Sequence, residues 1–102
     1  MSATGDGMGI SLNSVVAATK EQVSSDLAGE TVVLSMQSAM YYGMDAVGSR
    51  IWELVRDPIQ VASIVDAIVD EYDVDRDQAE ADVRVFLTDL AAKGLIEVKD
   101  AA

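Results

Sequence analysis

The chain has 102 residues, of which 50% are hydrophobic and 25% are charged, a balance typical of one folded domain and not of a disordered protein. Its 18 acidic and 7 basic residues give a formal net charge of -11, which disfavours nucleic acid and membrane surfaces as partners. Cysteine and histidine are absent, which excludes disulfides, Ser-His-Asp and Cys-His catalysis, and metal sites built on thiolate or imidazole.

The N-terminal residues 1–11 are rich in Gly, Ser, Thr and Asp and lack apolar periodicity, which predicts a flexible tail. We expect the folded domain to occupy residues 12–99, followed by a C-terminal tail over residues 100–102. The chain shows neither a secretory signal nor an apolar run near the ~20 residues that span a bilayer. This favours a cytoplasmic location.

Short runs of β-branched and aromatic residues between Asn13 and Met44 predict three strands. The first runs from Val15 through Gln22 to Leu27, and the others span 31–36 and 40–44. The expected turns lie at 28–30 and 37–39. Because a parallel connection needs a dozen or more residues, these strands are expected to form an antiparallel meander.

After Asp45 the apolar period changes from two to about 3.6, which predicts three helices. Asp45 is the expected N-cap of the first helix, and Asp57 with Pro58 is expected to open the second. Asp75 with Gln78 resembles a capping box for the third. The predicted buried faces are Val47, Ile51, Leu54 and Val55, then Val61, Ile64, Val65, Ile68 and Val69, then Ala79, Val83, Phe86, Leu87 and Leu90.

The third helix is expected to end at Gly94 in a left-handed C-cap, before a short strand over 95–99. Strands followed by helices, with a tight turn between the last two helices, define an α+β winged helix-turn-helix. This architecture raises DNA binding as a possible function. The third helix offers only Arg84 and Lys93 as cations among several carboxylates, which disfavours a DNA-binding regulator.

Carboxylates are the remaining candidates for catalytic or metal-binding residues. Asp73, Asp75 and Asp77 alternate like the opening of an EF-hand loop, but Gln78 and Arg84 stand where that loop needs Gly and Glu. A solvated, helix-capping turn therefore accounts for these acids better than a metal site. The sequence indicates no metal, no cofactor and no catalytic group, so we expect a protein that is not an enzyme.

The third predicted strand, Met40–Met44, contains no charge or proline to protect a sheet edge. Strand alternation prevents Tyr41 and Tyr42 from facing the core together, so at least one ring is expected at the surface, although either could pack against the helices. On the third helix, Val85 lies off the main apolar face and could be core or surface. It shares a second apolar strip with Ala81, Thr88 and Ala92, bordered by Asp82 and Asp89.

An extended peptide could add to this edge as a strand and rest its side chains on the helix strip. The predicted peptide-binding residues are Met40, Tyr41, Tyr42, Gly43, Ala81, Asp82, Val85, Asp89 and Ala92. A third possibility is an acidic subunit that only assembles with another protein through its helices.

The segments 31–34, 40–44 and 47–54 resemble the PqqD-like family of precursor-peptide recognition domains. The most specific part is Tyr41-Tyr42-Gly43 followed by a helix with Gly48-Ser49-Arg50-Ile51-Trp52, and the resemblance extends over residues 11–98. The turn at 37–39 is neutral, whereas the family usually has charged residues and a glycine there.

The resemblance implies a groove between the third strand and the third helix that binds the leader of a ribosomally synthesised precursor peptide. Met40 to Gly43 would supply the edge backbone, while Val85 and Asp89 would line the groove. Free-standing members of this length resemble the leader-binding subunit of the split lasso-peptide protease, whose partners are a separate cysteine leader peptidase and a cyclase. The alternative within the family is a pyrroloquinoline quinone chaperone that serves a radical S-adenosylmethionine enzyme.

Overall fold

The computed structural model of the protein describes residues 10–20, 22–27, 30–36 and 38–99. Within these ranges the chain forms β1 (Val15–Ala18), β2 (Gln22–Leu27), β3 (Glu30–Ser35), β4 (Met40–Met44), α1 (Ala46–Leu54), β5 (Ile59–Gln60), α2 (Val61–Glu71), α3 (Arg76–Ala92) and β6 (Ile96–Lys99). A three-stranded sheet precedes three helices, which confirms the predicted α+β class and winged-helix order. None of these helices is long and apolar enough to cross a membrane.

The strands β2, β3 and β4 form the predicted antiparallel meander in that order. Val33 at its centre is fully buried and pairs with Tyr42, whereas Leu34 pairs with Tyr41 on the opposite face. Ala39 lies in the predicted second turn and takes a left-handed φ of 59°. Residues 28, 29 and 37 of the two predicted turns lie outside the described residues.

The single first strand predicted from Val15 to Leu27 is wrong, because the chain divides it between two sheets. β1 lies between β5 and β6 in a second antiparallel sheet, with Val16 opposite both Ile59 and Val98. The N–H of Ala18 also donates to the carbonyl of Val55 over 2.7 Å. These partners are distant in sequence, so local periodicity could not reveal them. The predicted final strand is present as β6.

Two of the three helix N-caps predicted from the sequence are present in the structure. The Asp45 carboxylate accepts a hydrogen bond from the N–H of Gly48 over 2.8 Å, and Asp75 accepts from the N–H groups of Asp77 and Gln78. The Gln78 side chain turns away to donate to Asp82, so only half of the predicted capping box forms. Gly94 takes the predicted left-handed conformation, with φ 73°.

The prediction that Asp57 and Pro58 open the second helix is wrong. α2 begins at Val61, because pairing with β1 holds Ile59 and Gln60 extended. The N–H of Val61 then donates to the carbonyl of Ser14 over 2.9 Å, so this helix start is fixed to the second sheet.

The core lies between the meander, the second sheet and the three helices. Most of the predicted helix faces are buried in it, and Trp52 is only 2% exposed. Val47 is an exception, because it is exposed at the N-terminal end of α1. Ile10 falls in the predicted tail, yet it is buried and its carbonyl accepts a hydrogen bond from Arg84 Nε over 2.9 Å. The packed part of the chain therefore includes Ile10, and residues 1–9 and 100–102 lie outside the described residues.

Candidate functional site

The outer edge of β4 is the most accessible backbone of the meander. In the described part of the chain, β4 pairs with β3 alone, which leaves a second row of N–H and C=O groups without a strand partner. Met40 and Tyr41 are exposed, and a Cβ on Gly43 would meet no heavy atom within 4 Å. The structure therefore presents the segment Met40–Gly43 as an open edge.

The two adjacent tyrosines of β4 point to opposite faces of the sheet. Tyr41 is 70% exposed on the face away from the helices. Tyr42 shares the helix-facing side with buried Met44 and packs against the core, with the Lys93 ammonium 4.8 Å from its ring centroid. The prediction that at least one ring reaches the surface is confirmed, and Tyr42 is the ring that faces α3.

The helix α3 forms the wall opposite this edge. Its residues Ala79, Val83, Leu87 and Leu90 are buried in the core. At about 100° per residue, the neighbouring stripe contains Asp82, Phe86, Asp89 and Lys93. Asp82 and Phe86 line a pocket together with Gly43, and Lys93 reaches Tyr42, so this stripe faces β4. The groove is defined here as the space between Met40–Met44 and this stripe.

The residues of the predicted apolar strip on α3 and its acidic border lie on two different faces of the helix. Asp82 and Asp89 lie on the stripe that faces β4. Val85 is 70% exposed and lines a separate hollow of about 390 Å³ together with Ala81, Ile10, Arg84 and Thr88. Ala92 is also exposed and falls on the Val85 flank by helical periodicity. Ala81, Val85 and Ala92 therefore lie on the outer side of α3, beyond the rim of the groove.

An apolar pocket of about 490 Å³ lies at the end of the groove near the start of α1. Its walls include Gly43 and Met44 from β4, Val47 and Gly48 from α1, and Asp82 and Phe86 from α3. Sequence reasoning assigned Val47 and Phe86 to the core and missed their place in this pocket. The available signal was Gly48, since a glycine inside a helix costs stability and often marks a close approach.

Charge is unevenly distributed along the groove. Asp45 and Asp82 line the pocket at one end, and Asp82 accepts a hydrogen bond from Gln78 Nε2 over 2.9 Å. At the other end Lys93 forms an ion pair with Asp89. Among the described residues, no group of three or more carboxylates is placed to hold a metal ion. The groove can offer backbone pairing, an apolar pocket and a few charges to a ligand.

The fold and the groove together define a class of protein: a small α+β domain that presents an open sheet edge, an apolar pocket and a helix to an extended chain. The chain belongs to the PqqD family, because the family model for coenzyme PQQ synthesis protein D (PqqD) matches residues 30–96. No curated protein matches the chain.

Solved structures resemble the chain over most of its length. The structure of TbiB1 in complex with the TbiA(beta) leader peptide has a TM-score of 0.75 and 46% identity, covering 79% of this chain and 94% of that chain. Lasso peptide synthetase B1 complexed with its leader peptide has a TM-score of 0.72 and 22% identity, with coverages of 80% and 96%.

A third structure is the PqqD truncation of PqqCD from Methylobacterium extorquens, described as a stand-alone RiPP recognition element. It has a TM-score of 0.73 and 22% identity, and the match covers 88% of this chain and 96% of that chain. The two structures at 22% identity show that the fold is shared.

Proposed function

We propose that this protein recognises the leader of a ribosomally synthesised precursor peptide, which adds to β4 as a further antiparallel strand in the groove beside α3. The observation that carries the proposal is the open β4 edge facing α3 across an apolar pocket, in a chain 46% identical to TbiB1, which was solved with a leader peptide. Strand addition uses main-chain hydrogen bonds for affinity and side-chain pockets for selectivity.

The pocket is needed because backbone pairing alone binds weakly. About four to six new hydrogen bonds at ~0.5–1.5 kcal/mol each offset only part of the cost of ordering a flexible peptide. Met40, Tyr41, Tyr42 and Gly43 supply the edge through their backbone. An apolar leader side chain in the pocket of about 490 Å³ then supplies further affinity.

On α3, the proposed leader contacts differ in kind. Asp82 and Asp89 face the added strand directly. Ala81, Val85 and Ala92 lie on the outer flank and contact only leader side chains that extend over the rim of the groove.

The proposed product class is a lasso peptide, because one of the two leader-bound structures that resemble this chain is lasso peptide synthetase B1. In this role the protein is not an enzyme and uses no cofactor. It presents the leader to a separate modifying enzyme, a cysteine leader peptidase, in the cytoplasm where the precursor is made. The helix α3 carries more carboxylates than cations, which gives no support to a DNA-binding regulator.

Titration of the protein with the TbiA(beta) leader peptide tests the proposal. We expect a Kd below ~100 μM, equivalent to ~5.5 kcal/mol, and no binding of a peptide with the same composition in scrambled order. N-methylation of the leader backbone at alternate residues should abolish binding for one set and spare the other, because only alternate amides point toward β4. Binding that tolerates every N-methyl group would exclude strand addition.

A further inference from the structure

Lys93 connects the two walls of the groove. It follows the last residue of α3, and its Nζ lies 4.8 Å from the ring centroid of Tyr42 on β4. The same ammonium group forms an ion pair with Asp89 one turn earlier on α3. Two contacts from different elements hold this side chain across the groove and limit the number of rotamers that it samples.

Among the described residues, Lys93 is the cationic side chain that lies at the groove. The arginines have other partners, since Arg50 pairs with Glu71 and Glu53, Arg76 with Asp66, Arg84 with Glu80, and Arg56 donates to Ser24. Lys20 follows β1, and Lys99 ends β6 in the second sheet. In a chain with a net charge of -11, this single position offers a positive charge to a strand added at β4.

The ammonium group of Lys93 retains capacity for a ligand. It has three N–H donors, Asp89 supplies one carboxylate acceptor, and the face of Tyr42 supplies electrostatic attraction without a hydrogen-bond acceptor. The Lys93 side chain is 31% exposed, so a bound carboxylate would be screened less than at an open surface. A carboxylate is therefore the complementary ligand chemistry at this end of the groove.

The opposite end of the groove repels the same ligand. Asp45 and Asp82 line the pocket, so a leader carboxylate placed there would meet two like charges. Backbone hydrogen bonds are similar in every register, and a slip of two residues moves a side chain by about 7 Å along the strand while keeping it on the same face. Such a slip would carry a carboxylate from attraction at Lys93 toward repulsion at Asp82.

We infer that Lys93 is a specificity-determining residue that binds one carboxylate of the leader and thereby fixes the register of the added strand. This inference rests on the proposed function. Because the leader runs antiparallel to β4, its residue opposite Met44, which lines the pocket, precedes its residue opposite Tyr42, and both of these residues face α3. The groove therefore selects leaders in which an acidic residue follows, toward the C-terminus, the apolar residue that fills the pocket.

A double-mutant cycle with the TbiA(beta) leader peptide tests the inference. Lys93→Met keeps an aliphatic stem beside Tyr42 and removes the charge, while Lys93→Arg retains the charge. Lys99→Met is the matched control, because it changes the net charge equally in the second sheet. Each Asp and Glu of the leader is replaced singly by its amide, and Kd is measured for every pair at low and physiological salt. Thermal unfolding of each variant establishes that it is folded.

We expect Lys93→Met to weaken leader binding about tenfold and to reduce its salt dependence, whereas Lys99→Met changes Kd by less than about twofold. Lys93→Arg should restore most of the affinity. One amide variant of the leader, C-terminal to the apolar anchor, should lose affinity with the wild type and lose nothing further with Lys93→Met. Equal Kd values for the wild type and Lys93→Met, or equal losses for Lys93→Met and Lys99→Met, would overturn the inference alone. Absence of leader binding by the wild type would overturn the proposed function as well.

Discussion

Gly48 of α1 and Phe86 of α3 meet at the floor of the groove so closely that a methyl group on Gly48 would lie 3.2 Å from Phe86 Cζ. The same methyl group would lie 3.2 Å from Asp45 Oδ1, the atom that caps α1. A glycine at this position lets α1 approach both its own cap and the ring of Phe86. Glycine has a low helix propensity, but at position 48 it allows the close approach of α1 to Phe86 on which the shape of the pocket depends.

Gly48→Ala is expected to damage the groove more than the fold. Alanine gains up to about 1 kcal/mol of helix propensity, which offsets the close contacts, so we expect the free energy of unfolding to change by less than about 1 kcal/mol. Phe86 is half-buried and can yield toward the pocket, which reduces the space for a leader side chain. Urea unfolding and leader titration, with Kd weakened about threefold or more, check the two effects.

Gly43→Ala is the matched control for that substitution, because its methyl group would meet no heavy atom within 4 Å and, by strand alternation, would lie on the same sheet face as Tyr41, away from α3. We expect its leader Kd to stay within about twofold of the wild type, since β4 pairs through its backbone. Equal losses of affinity for Gly43→Ala and Gly48→Ala would contradict the role assigned to Phe86.

Local signals in the sequence predicted much of the fold. Asp45, Asp75 and Gly94 cap helices through bonds to neighbours a few residues away, and the change of apolar period located all three helices. The second sheet could not be predicted in this way. Val16 pairs with Ile59 and Val98, and such pairing between distant segments leaves no periodic signature.

The sequence predicted the open edge of the groove, but it did not show which face of α3 lies opposite that edge. The uncharged β4 segment marks an open edge by its composition alone. On α3 the apolar Val85 suggested the contact strip, but the stripe facing β4 carries Asp82, Phe86 and Lys93. Hydrophobicity identifies the apolar faces of α3 in the sequence, but it does not show which face turns toward β4. That orientation depends on how α3 packs against the rest of the fold.

The Arg50–Glu71 pair is expected to make stability depend on pH. Arg50 Nε and Nη2 donate to the two Glu71 carboxylate oxygens over 2.8 Å each and join α1 to α2. These hydrogen bonds lower the pKa of Glu71 below its ordinary value of 4.5. Because the folded pKa is the lower one, the stabilisation is present above about 4.5 and is lost as the pH falls through the folded value.

Glu71→Gln should therefore lower the thermal unfolding midpoint at neutral pH and flatten its decline in acid. Added salt should narrow the difference from the wild type, since both side chains are about one-third exposed. Glu53→Gln, which removes a single contact within α1, serves as the control and should change the midpoint less. An acid profile of Glu71→Gln that parallels the wild type would refute the assignment.

Trp52 is expected to stabilise the fold through its size and not through its N–H group. The side chain is 2% exposed, and its Nε1 has no hydrogen-bond partner among the described residues. Trp52→Ala should cost about 3–5 kcal/mol, whereas Trp52→Phe should cost about 1–2 kcal/mol because it retains most of the buried ring. Chemical denaturation of both variants checks this ratio, and a Phe variant as unstable as the Ala variant would contradict the assignment of the stabilisation to the buried ring.

The two tyrosines of β4 are expected to differ sharply in leader binding. Tyr42 faces α3 beneath Lys93, so Tyr42→Ala removes both a groove wall and the support of that ammonium group. We expect its leader Kd to weaken about tenfold or more. Tyr41 is 70% exposed on the opposite face, so Tyr41→Ala should change Kd by less than about threefold while preserving the β4 backbone. Titration of both variants with the TbiA(beta) leader peptide decides the matter, since a larger loss for Tyr41→Ala would place the leader side chains on the sheet face away from α3.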